Sequence, residues 1–145
     1  MGKYDVLKLE NQICFPLYAA AKEIVRKYKP ILDELDLTYT QYIAMMVLWE
    51  KEKVSVKELG EKLYLDSGTL TPVVKSLEQK GYVSRARLSS DERVLQVALT
   101  DKGRDLKDKA LSVPERIVSS CVALSPTEAA TLYTLLYKVL GVSKE

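Results

Sequence analysis

The chain has 145 residues, 47% hydrophobic and 29% charged, with a formal net charge of +2. That length and balance suit a single domain with a core of its own, and no apolar run approaches the ~20 residues of a membrane span. Histidine is absent, which removes Ser-His and Cys-His catalysis and the commonest zinc ligand, so no enzyme, metal or cofactor is expected. The start, Met1-Gly2-Lys3-Tyr4-Asp5, lacks a hydrophobic signal core, and a cytoplasmic location is expected. Cys14 and Cys121, 107 positions apart, make no secreted disulfide framework and read as isolated thiols in a reducing compartment.

Leu9, Ile13, Leu17, Ala20 and Ile24 recur at helical spacing and predict a long first helix from about residue 6 to 28. Pro16 falls inside it, so the proline either kinks that helix or marks a shorter one beginning near Cys14. Pro30 follows, with a short helix through 31–35. Thr38 with Gln41, Ser55 with Glu58 and Ser125 with Glu128 form three capping boxes. They open helices through Trp49, through Leu63, and through Leu132 to Gly141. Asp66 caps a helix from Ser67 to Lys80, which Gly81 ends. The period then changes: 82–87 and 94–99 read as two strands around a polar tip, Leu88-Ser89-Ser90-Asp91-Glu92-Arg93. Thr100-Asp101 starts a long helix toward Cys121.

The order helix, turn, helix, hairpin over 55–99 predicts a winged helix-turn-helix, an architecture that binds duplex DNA through its second helix and hairpin tip. The fold class is thus mainly α with a small β wing. Residues 38–100 form the DNA-binding unit, and 1–37 with 101–145 supply dimerisation helices, because the apolar faces at the two ends exceed what the centre can cover. On the second helix Leu70, Val73, Val74 and Leu77 form the buried stripe. Ser67, Gly68, Thr69, Thr71, Pro72 and Lys75 are candidates for DNA contact, the small residues allowing close approach and Lys75 suiting a phosphate. In the hairpin the candidates are Arg85, Arg87, Asp91 and Arg93; Arg93 suits a minor groove, with Asp91 pinning it. Between Ser67 and Leu99 five cations (Lys75, Lys80, Arg85, Arg87, Arg93) face three anions (Glu78, Asp91, Glu92). An ordinary surface helix competes with the DNA reading of the second helix alone; the hairpin directly after it decides for DNA.

Asp91-x-Arg93 in the wing and Thr100-x-x-Gly103 after it resemble the MarR family of dimeric winged-helix regulators. Four longer runs resemble one subgroup, the organic-hydroperoxide-resistance regulators. They are Leu9-Glu10-Asn11-Gln12-Ile13-Cys14-Phe15, Tyr28-Lys29-Pro30, Leu37-Thr38-Tyr39-Thr40-Gln41-Tyr42, and 63–72 from Leu63 to Pro72. Cys14, Tyr18, Ala21, Val25 and Tyr28 share one helical stripe, and at 1.5 Å per residue Cys14 and Tyr28 lie roughly 21 Å apart. A Tyr28 hydroxyl that bonds the Cys14 sulfur must therefore come from a partner subunit. The resemblance implies that arrangement, with Tyr28 and Tyr39 of one subunit donating to Cys14 of the other and favouring the reactive thiolate. It implies a homodimeric repressor on pseudo-palindromic operator DNA, released when an organic hydroperoxide oxidises Cys14 to a sulfenic acid. Cys121 then resembles the resolving thiol of the two-cysteine type; the competing reading is a packed cysteine, with an external thiol resolving Cys14. Two rivals differ in class. A thiol peroxidase lacks support because no βαβ alternation exists. A MarR-type regulator released by a small aromatic ligand would use a pocket of tyrosines and Trp49.

Overall fold

A computed structural model describes residues 2–121 and 123–142, without the side chains of Ser120 and Cys121. Two 3-10 turns, Asp5–Leu7 and Leu9–Asn11, precede helix α1, Cys14–Asp33. Then come α2, Tyr39–Lys51; β1, Lys53–Ser55; α3, Val56–Leu63; and α4, Ser67–Gln79. The hairpin strands β2, Val83–Arg87, and β3, Leu95–Leu99, lead into α5, Asp101–Ala110, α6, Val113–Cys121, and α7, Pro126–Val139.

The helix starts follow the capping chemistry. Thr38 and Gln41 exchange both bonds of a capping box, as do Ser125 and Glu128. Ser55 accepts from the Glu58 amide at 3.0 Å, which is half of the box expected there. Asp66 caps α4 by accepting from Thr69 N at 2.8 Å, and that bond holds the Asp66 carboxyl below the usual range.

The first helix begins at Cys14, not near residue 6. Extension backwards would need a Pro16 amide donating to the Gln12 carbonyl, and proline has none; as the third helical residue Pro16 costs nothing, because that amide lacks an intrahelical partner anyway. Polar side chains stabilise the turns instead: Asn11 Nδ2 donates to Asp5 O at 2.7 Å and Gln12 Nε2 to Val6 O at 2.7 Å. Of the two readings of Pro16, the shorter helix is the right one. The separate short helix expected at 31–35 does not form, for α1 runs through Pro30 to Asp33. Interior proline costs about 3 kcal/mol, and burial of Ile31 and Leu32 in the core beside it offsets that. Conversely, the long helix expected from Thr100 to Cys121 is two helices, because Pro114 cannot donate to the Ala110 carbonyl.

Strand β1 was not expected; three residues are too few to show an alternation. It pairs antiparallel with β3 (Val54 opposite Val97), and the hairpin pairs Arg85 with Val97 and Val83 with Leu99, giving the order β1-β3-β2. Val54, Val83 and Val97 turn inward onto Leu48, Leu59, Leu70, Val74 and Leu77.

Helix α5 is clamped to the rest at Gly103. A Cβ there would fall 2.2 Å from the Tyr82 carbonyl oxygen and 2.8 Å from Leu99 Cδ1. Trp49 Nε1 donates to the Gly103 carbonyl at 2.9 Å, Thr100 Oγ1 accepts from Gly103 N at 3.1 Å, and the same hydroxyl donates to Gly81 O at 2.6 Å. The residues of the Thr100-x-x-Gly103 motif thus have a packing reason. In contrast α7 buries none of its residues, and Leu132, Tyr133, Leu135 and Val139 lie open. Gly103→Ala is expected to lower stability by about 3 kcal/mol, since the obstacle is backbone; urea unfolding of wild type and variant measures the difference.

Candidate DNA interface and thiol site

On α4 the residues singled out for DNA share one side. Ser67, Gly68, Thr69, Pro72 and Lys75 are exposed and Thr71 is half-buried, while Leu70, Val73, Val74 and Leu77 point into the core. Thr71 Oγ1 donates to Ser67 O at 2.7 Å, leaving its methyl and acceptor lone pairs outward. A Cβ on Gly68 would meet only Asp66 Oδ1, at an ordinary 3.5 Å. The chain's own packing does not demand glycine at that position, so its smallness favours what approaches from outside.

The wing tip is tied from within. Arg93 N donates to Asp91 Oδ1 at 3.0 Å, Arg93 Nε to the same oxygen at 3.1 Å, and Nη2 to Oδ2 at 3.2 Å. The Arg93 side chain is nevertheless 90% exposed, and its bonds hold the Asp91 carboxyl below the usual range. Arg85 faces inward, donating from N, Nε and Nη2 to the carboxylate of Glu78 on α4, which lowers the Glu78 pKa. Lys80 is engaged with Asp36 and Gln41. Among the described residues Lys75 and Arg87 have no ion-pair partner, and both are exposed.

Cys14 is an exposed free thiol at the first position of α1, where the helix presents its positive end. Ile13, Phe15, Leu17 and Tyr18 surround it with exposed apolar surface. Tyr28 lies four turns on. Its ring meets that of Tyr39, with centroids 4.9 Å apart, and Tyr42 completes the group at 5.8 and 6.5 Å. Burial pushes the Tyr39 phenol above its ordinary pKa, so it stays a protonated donor at neutral pH. The structure thus brings Tyr28 and Tyr39 together and leaves Cys14 at the other end of α1. The Cys121 side chain lies outside the described residues. Trp49, named for a possible ligand pocket, is buried and bonded to Gly103.

Sequence reading missed the link behind Tyr39. Gln41 was expected only as a cap, yet it is buried and also reaches Ser76 on α4, with Nε2 to Oγ at 2.9 Å. A separation of 35 positions leaves no local signal for such a bond. Among the described residues no group of His, Cys, Asp or Glu could hold a metal, and no helix is long and apolar enough to cross a membrane.

Comparison with known proteins fits this geometry. Residues 26–110 match the family described as transcriptional regulator SarA/Rot. The organic hydroperoxide resistance transcriptional regulator of Bacillus subtilis strain 168 is 49% identical over 139 residues, covering 93% of this chain and 94% of that protein. The structure of reduced AbfR bound to DNA superposes with a TM-score of 0.78 at 33% identity, covering 96% of each chain; AbfR is from Staphylococcus epidermidis. The disulfide-formed AbfR structure matches at 0.63, again at 33% identity, over 95% of this chain and 96% of that one. The chain therefore belongs to the MarR family of winged-helix transcriptional regulators, in the branch that holds the organic hydroperoxide resistance regulator.

Proposed function

We propose that this regulator is a homodimeric repressor that holds pseudo-palindromic operator DNA while Cys14 is reduced and lets go when an organic hydroperoxide oxidises that thiol. The observation that carries the reading is an exposed thiol at the start of α1 and, four turns along the same helix, Tyr28 packed on Tyr39 of α2. A two-fold dimer formed through α1 and the open apolar face of α7 brings Cys14 of one subunit to Tyr28 and Tyr39 of the other. The DNA-bound and disulfide-formed structures of AbfR support both a DNA target and a thiol switch. This chain superposes better on the DNA-bound AbfR structures, reduced (TM-score 0.78) and overoxidized (0.76), than on the disulfide-formed one (0.63).

The chemistry follows from the site. Two phenolic donors of the opposite subunit point their hydrogens at the Cys14 sulfur, which reacts as the thiolate. The thiolate attacks the distal peroxide oxygen, the O–O bond breaks, and the alkoxide leaves and takes a proton to become the alcohol. Sulfur is oxidised to sulfenic acid as the peroxide is reduced. The Cys121 thiol of the opposite subunit then displaces water from the sulfenic acid and closes an intersubunit disulfide, drawing the two winged units off the DNA. The apolar surface around Cys14 favours an alkyl peroxide over hydrogen peroxide. On DNA, α4 enters the major groove through Thr69, Thr71 and Pro72, with Lys75 and Arg87 on phosphates and Arg93 in the adjacent minor groove.

Fluorescence anisotropy on an operator duplex, selected from a random pool by the reduced protein, tests the switch. One equivalent of cumene hydroperoxide is expected to release wild type and leave Cys14→Ser bound; release of both would sink the reading. Tyr28→Phe and Tyr39→Phe should each slow Cys14 oxidation about tenfold, roughly the worth of one charge-assisted hydrogen bond, read by stopped-flow thiol labelling. Arg93→Ala should weaken binding about tenfold and cut the salt dependence by about one counterion. An unchanged slope in a salt titration would remove Arg93 from the interface.

A further inference from the structure

We infer that the buried side chain of Gln41 is a positioning residue coupling the sensing end of α2 to the recognition helix α4, so that the state felt at Tyr39 sets the seat of α4 on DNA. The inference rests on the thiol-switch reading above and deepens it.

The geometry is unusual for a cap. A capping-box glutamine needs only to accept from the N-cap amide, which Gln41 Oε1 does from Thr38 N at 3.0 Å. Such a side chain ordinarily sits at a wet helix start. Here Gln41 is 7% exposed and is the buried polar residue of the core. Its Oε1 also accepts from Lys80 Nζ at 3.0 Å, and its Nε2 donates to Ser76 Oγ at 2.9 Å. Lys80 Nζ donates in addition to the carbonyl of Asp36 and pairs with its carboxylate. Asp36 sits in the α1–α2 link at a φ of 54°, a conformation that holds its carbonyl toward Lys80 at some backbone cost.

The last turn of α4 is thus tied at Ser76 and at its C-cap Lys80 to the first turn of α2. That first turn begins with Tyr39, whose ring lies on Tyr28. Thr38, which shares a peptide bond with Tyr39, supplies the backbone amide that Gln41 Oε1 holds. A shift of Tyr39 when its sulfur partner changes must move this turn. The Gln41 bonds then either break in the core or carry α4 along. Breaking leaves buried polar groups unpaired, so the network favours moving as a piece. Lys75, Pro72, Thr71 and Thr69 lie on the outer side of the same rigid helix, and a rotation at its last turn displaces them.

The readout is the ratio of Kd for the oxidised protein to Kd for the reduced protein, on the selected duplex with cumene hydroperoxide as oxidant. The rate of Cys14 oxidation is followed in parallel. Ser76→Ala and Gln41→Met are expected to keep the wild-type oxidation rate while the ratio falls about tenfold toward one. Gln41→Glu keeps both acceptor roles, and the Ser76 hydroxyl can turn to donate to it; its ratio should stay within about threefold of wild type. Should Gln41→Met fail to fold, Ser76→Ala decides alone. A wild-type ratio near one overturns the thiol switch and this coupling with it. A large wild-type ratio that the variants keep overturns the coupling alone.

Discussion

A helix cannot bring its own two ends together, and α1 places Cys14 at its first residue and Tyr28 fifteen residues into its twenty. Much of the molecule is arranged around that separation. Among the described residues nothing covers the apolar surface beside Cys14, and α7 extends with its own apolar residues open. On the proposed reading, a chain built in this way has half of a site at each end and completes it by symmetry. Dimerisation and sensing would then be one requirement, since in that proposal the surface that closes the site is also the surface that joins the subunits.

Helix α2 joins α1, α4 and α5. Tyr39 and Tyr42 meet Tyr28 of α1, Gln41 meets α4, and Trp49 reaches across to the Gly103 carbonyl of α5. Few of its residues face water, and each buried polar group on it has a partner. A helix so fully engaged does not fray or bend independently.

Local chemistry was legible from the sequence wherever the cause was local. Thr38, Ser55, Asp66, Thr100 and Ser125 start helices because the side chain and the amide it satisfies are three residues apart. The helix Ser67–Gln79 was legible from its apolar stripe, but only the wing after it, marked by the change of period after Gly81, pointed to DNA. Prolines were harder. Pro16 and Pro114 bound helices whereas Pro30 is passed over, and the difference is tertiary: Ile31 and Leu32 are anchored in the core. Bonds between distant positions left no trace. The Gln41–Ser76 and Trp49–Gly103 bonds, and the pairing of β1 with β3, join residues 35 or more positions apart.

The Arg85–Glu78 pair has a consequence for how an operator is held. Arg85 carries a charge that could have gone to a phosphate, but three of its nitrogens are fixed on α4. The wing is thereby fastened to the helix like the fixed jaw of a caliper. With α4 and the wing in neighbouring grooves as proposed, such a jaw would measure the distance between them, so a duplex of the wrong local width would be rejected even when the bases match. On the same proposal both grips would be lost in one movement, and release would be abrupt rather than gradual.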